Sequence, residues 1–133
     1  MKLSGLDDDM KRDLDLVRCI LISVEKADGP IGDVMLANCC EDIGRLAFHI
    51  ELMQAHGLLT ASVERDAYGD PLSLEVGGLT WEGYDYLDAI RSPQVWNKAK
   101  DAISKAVGDT SLSIVKQTCT TVATGLIMTK LGM

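Results

Sequence analysis

The apolar residues of this chain recur at three different periods, and each period marks off a different kind of element. Between Met10 and Ala27, Leu14, Val17, Leu21 and Val24 follow one another at spacings of three and four, which puts side chains on one face of an α-helix. Asp7, Asp8 and Asp9 precede that face, where negative charge suits a helix amino terminus, and Asp28-Gly29-Pro30 stops it. A second helical stretch, Asp42 to His56, aligns Ile43, Leu46, Ala47, Ile50 and Met53, with Gly57 in the terminating position. The intervening segment from Ile31 to Cys40 has no long period, and its Val34, Met35 and Leu36 predict a short strand.

After Gly57 the period changes to two. Leu59, Ala61 and Val63 alternate with polar residues, as do Leu72, Leu74 and Val76, and the turn formers of Asp66 to Pro71 lie between them. The pattern predicts one antiparallel hairpin with Arg65 and Tyr68 at a protruding tip. Thr80 then offers an N-cap for a helix through Ile90, and Ser92-Pro93 breaks it and opens another through Val107, ended by Gly108. In the last segment, Ser111 to Lys130, Leu112, Val115, Cys119, Val122 and Leu126 form a narrow heptad-like seam. Such a seam predicts self-association into a homodimer through this helix, against the alternative that it folds back on its own domain. The expected fold class is therefore α+β and mainly helical. It reads as one domain over 1–133, with a core over 10–91 and a helical extension over 92–133.

Composition narrows the function classes. Twenty acidic against thirteen basic residues give a formal charge of −7, which disfavours non-specific contact with nucleic acid or an anionic membrane and favours basic partners. The amino terminus lacks the basic start and apolar run of a secretion signal, and the apolar stretch Thr118 to Thr129 is too short to span a bilayer. Cys19, Cys39, Cys40 and Cys119 lack the paired spacing of a zinc knuckle and read as reduced, mostly buried thiols, with adjacent Cys39 and Cys40 as a less favoured redox or metal-sensing pair. These readings place the chain in the cytoplasm. No nucleophile elbow, phosphate loop or metalloprotease motif is present, so no catalysis, metal or cofactor is expected.

A helix ending in His56-Gly57-Leu58-Leu59, a hairpin, and then Leu79-Thr80-Trp81-Glu82-Gly83 is similar to the order of elements in winged-helix proteins. With Met10 to Arg18, Leu87 to Arg91 and Val95-Trp96, these residues resemble a phage- and prophage-encoded bacterial family known as domain of unknown function 2513. The resemblance covers Met10 to about Gly108 and implies a bacterial host as the setting. It carries no activity or site. The short interval from Gly29 to Glu41 leaves too few residues for both a strand and the first helix of a helix-turn-helix, so the motif reads as incomplete and duplex DNA as the less favoured ligand.

The residues singled out as contacts for a protein partner are Arg45, Phe48, His49, Arg65 and Tyr68. Phe48 lies off the apolar face of its helix. His49 is read either as a contact or as a core-edge histidine, the second being favoured. Trp81, Tyr84 and Trp96 form either an exposed aromatic platform or, the favoured reading, the cover of a small core. Two functions follow as expectations: an accessory protein that binds another protein, such as a host factor, and, as the alternative, a winged-helix transcriptional regulator.

Overall fold

A computed structural model describes residues 12–106 and 111–132. In chain order it contains α1 (Leu14–Lys26), β1 (Ile31–Gly32), a 3-10 turn (Met35–Asn38), α2 (Ile43–Ala55), β2 (Leu59–Arg65), β3 (Pro71–Leu79), α3 (Trp81–Ile90), α4 (Pro93–Ala106) and α5 (Leu112–Lys130). The fold is mainly helical α+β, with a three-stranded antiparallel sheet in the order β1-β3-β2. It forms two compact units that divide between Tyr84 and Asp85.

Polar residues fix the helix boundaries. Asp13 caps α1 by accepting from the Leu16 N–H, and Asp42 caps α2 by accepting from those of Gly44 and Arg45, each satisfying donors the first turn leaves open. The aspartates at 7–9, Gly108 and the end of the fourth predicted helix at Val107 lie outside the described residues. At the far end of α2, Gly57 takes φ +87°. There the Leu58 and Gly57 N–H groups donate to the carbonyls of Met53 and Gln54, each at 2.9 Å, a left-handed termination that a Cβ would strain.

The interval before α2 holds more than the sequence suggests. Val34, Met35 and Leu36 do not form a strand; the strand is Ile31–Gly32, which pairs with Glu75 and Val76 of β3, and the 3-10 turn follows it. A two-residue strand and a single tight turn need few residues, so both fit. The β2–β3 hairpin matches the alternating pattern, with Ala61 opposite Val76 and Val63 opposite Leu74, and register shifts after Thr60 and Glu64.

The cysteines depart from the expectation. Cys19 on α1 and Cys39 after the 3-10 turn form a disulfide with their Cα atoms 5.7 Å apart, while Cys40 and Cys119 are not disulfide-bonded. The 20-residue separation hides this pairing in the sequence. The two sites meet only because the 3-10 turn is folded against α1.

In the first unit, Leu16, Val17, Ile20, Leu21, Val24, Leu46, Ile50, Met53, Leu74 and Val76 are buried. In the second, α4 packs on α5, with Val95, Trp96, Ala99, Ile103, Leu112, Val115 and Cys119 buried, and the Tyr86 hydroxyl donates to the Leu112 carbonyl at 2.7 Å. Burial pushes the Tyr86 pKa up. Within this unit Leu112, Val115 and Cys119 of the predicted self-association seam are therefore covered, and Val122 and Leu126 are half-buried. No helix among the described residues is long and apolar enough to cross a membrane.

Candidate protein-interaction surface

Charge is distributed unequally between the units. Up to Tyr84 the sequence holds 16 acidic and 7 basic residues, and from Asp85 onward 4 and 6. The negative charge thus belongs to the unit that contains α2 and the hairpin.

Both arginines of those elements are held by carboxylates of the same unit. The Arg45 guanidinium pairs with Asp13, the cap of α1. Arg65 leaves the end of β2 to pair with Glu51 on α2, and its other terminal nitrogen donates to the Gly69 carbonyl at 2.8 Å. Glu41, Glu64 and Asp70 remain exposed around them. Each cation is therefore spent against an anion, and the surface presents net negative charge.

The hairpin tip is built by one side chain. Asp66 Oδ1 accepts from the N–H groups of Tyr68 at 2.8 Å and Asp70 at 3.0 Å. The Asp66 carbonyl accepts from Gly69, which sits at φ +86°. This arrangement is the side-chain-supported turn that aspartate favours. It projects Tyr68, 91% exposed, with Leu72 also exposed on the strand beyond.

His49 lies elsewhere in function. It is fully buried, its Nδ1 hydrogen-bonds the Arg45 carbonyl at 2.8 Å, and its Nε2 accepts from the Asp13 N–H at 2.7 Å. Those partners specify a neutral ring with the proton on Nδ1, and burial lowers its pKa below 6.5 despite the carbonyl bond. Of the two roles the sequence left open, His49 has the structural one and offers no partner contact. Phe48, half-buried, stacks edge-on to the His49 ring at 5.3 Å. Of the predicted contacts, Tyr68 is fully presented, Arg45 and Arg65 are partly exposed within ion pairs, and Phe48 is partly covered.

The aromatic residues divide. Trp96 is buried, but Trp81 is 81% and Tyr84 47% exposed, so the expectation of a core role fails for these two. On α3 the buried positions are Gly83, Tyr86, Leu87 and Ile90, which turns Trp81 and Tyr84 outward. A Cβ on Gly83 would stand 1.9 Å from the Leu58 carbonyl oxygen, so this glycine is where the helix meets the start of β2. Because it has no side chain, it is invisible to a count of apolar positions. Counting it as buried would have revealed the outward face.

Among the described residues, no group of three or more His, Cys, Asp and Glu side chains is placed to hold a metal ion. Residues 11–109 match the family described as hypothetical protein DUF2513. The chain belongs to this family. The DUF2513 match spans α1 to α4 and stops short of α5. An uncharacterized protein of Haemophilus influenzae is 32% identical over 119 residues, covering 89% of this chain and 99% of the relative. No solved structure matches.

Proposed function

We propose that this DUF2513 protein works by binding another protein through the acidic surface of α2 and the β2–β3 hairpin, with Tyr68 as its apolar anchor. The helix, short strand, 3-10 turn, helix and hairpin of the first unit read as a winged-helix-like core, in which α2 and the hairpin occupy the places of recognition helix and wing. The observation that carries the proposal is the pairing of Arg45 with Asp13 and of Arg65 with Glu51. Duplex binding requires cations that neutralise phosphates. On these two elements each described arginine already faces a carboxylate, with further carboxylates exposed around it.

The chemistry instead favours a basic patch on a protein, steered by charge and anchored by a large, rigid, amphipathic side chain. In the phage- or prophage-type setting the family resemblance implies, that partner is a host factor in the bacterial cytoplasm, and the chain is a non-catalytic accessory protein. The test is quantitative affinity capture from bacterial lysate with the wild type, Tyr68→Ser and Glu64→Lys/Asp70→Lys, read by mass spectrometry. A protein with a basic surface should be retained by the wild type, depleted by both variants, and then shown to bind directly as a purified component. Capture that is identical for all three contradicts the proposal.

A further inference from the structure

Cys19 lines two surface grooves that differ in charge, and its disulfide partner Cys39 lines one of them. One, of about 290 Å³, is lined by Asp13, Asp15, Cys19, Cys39, Cys40 and Arg45. The other, of about 320 Å³, is lined by Asp15, Arg18, Cys19, Ser23 and Lys26. Cys19 faces both grooves, whereas Cys39 lines only the first. The Ser23 Oγ lies 3.4 Å from the Cys39 Sγ.

We propose that this disulfide is a thiol–disulfide exchange site for a small thiol that carries carboxylates, entering through the groove of Arg18 and Lys26 and reacting at Cys19. The approaching thiolate and its carboxylates are anions, so the groove with two cations and one carboxylate attracts them more than the groove with two carboxylates and one cation. Exchange proceeds by attack of a thiolate on one sulfur of the disulfide. The incoming sulfur bonds to the Cys19 Sγ, the Cys19–Cys39 bond breaks, and its electron pair leaves on the Cys39 sulfur. The proton that the small thiol gave to solvent returns from solvent to Cys39. One S–S bond forms as one breaks, so the step needs no further oxidant. The Ser23 hydroxyl is placed to donate to the departing Cys39 thiolate, which makes Cys39 the better leaving group and Cys19 the site of the adduct. The product frees the 3-10 turn, with its exposed Val34 and Met35, from its covalent tie to α1.

The experiment has two stages. Intact protein, acid-quenched and alkylated at harvest, should give a Cys19–Cys39 linked peptide with Cys40 and Cys119 alkylated; four alkylated cysteines overturn the proposal. The oxidised protein is then treated at low salt with reduced glutathione, neutral 2-mercaptoethanol or cationic cysteamine, and each rate is divided by that thiol's rate with an uncharged reference disulfide. Glutathione should react several-fold faster than cysteamine, with the mixed disulfide on Cys19. The preference should disappear in Arg18→Gln/Lys26→Gln and persist in Cys40→Ser. An adduct on Cys39, or equal normalised rates for the three thiols, contradicts it.

Discussion

Arg65 on the hairpin pairs with Glu51 on α2, so the positive charge at the end of β2 is neutralised by the helix beside it. The pair is partly exposed, and exposed pairs contribute about 0.2–1 kcal/mol. A double-mutant cycle on Glu51→Ala and Arg65→Ala should give a coupling energy within that range. A coupling well above it would show that the pair organises the hairpin rather than only masking its charge.

His49 makes stability depend on pH. Its folded pKa lies below the ordinary 6.5, so on acidification the unfolded chain takes up a proton that the folded ring refuses. Unfolding free energy should therefore be independent of His49 above about pH 7 and fall as the pH drops through about 6.5, before the carboxylates titrate. Urea midpoints from pH 7.5 to 5.5 should show this fall in the wild type and a shallower one in His49→Gln.

Gly83 is the tightest backbone approach among the described glycines. Gly83→Ala should destabilise the protein by roughly 3 kcal/mol or more, the upper end of the cost of overpacking. Gly78→Ala, where a Cβ meets nothing within 4 Å, should cost about 0.5 kcal/mol or less. Thermal unfolding of the two variants checks both values.

The disulfide closes a 20-residue separation, so its loss should lower stability by about 3 kcal/mol in the chain-entropy account. Cys39→Ala should show that loss in oxidised protein, and wild type with reductant should match it. Cys40→Ala should not.

The sequence made the periodic elements legible because α1, α2, the hairpin and α3 to α5 each bury one face, and burial imposes a period. It could not show what depends on two distant segments meeting. The Cys19–Cys39 pair, the buried ring of His49 between Asp13 and Arg45, and the ion pairs of both arginines are of that kind. The strand Ile31–Gly32 escaped because two residues carry no period. Aromatic residues at a helix start suggest a cover for a small core, but the side of α3 that packs inward begins with Gly83, whose burial leaves no apolar signal, and Trp81 and Tyr84 face outward.

The central claim, that the surface formed by α2 and the hairpin is built for a protein and not for a DNA duplex, is tested most directly by fluorescence anisotropy. The purified chain is titrated at low salt into labelled duplexes, one from the DNA flanking its own gene and one of unrelated sequence. Specific DNA-binding proteins reach affinities well below about micromolar, with steep salt dependence. The expected result is no saturation of either duplex up to about 10 micromolar, a concentration inside the range of typical non-specific affinities. Saturable, sequence-selective binding below about micromolar that weakens steeply with added salt would contradict the account.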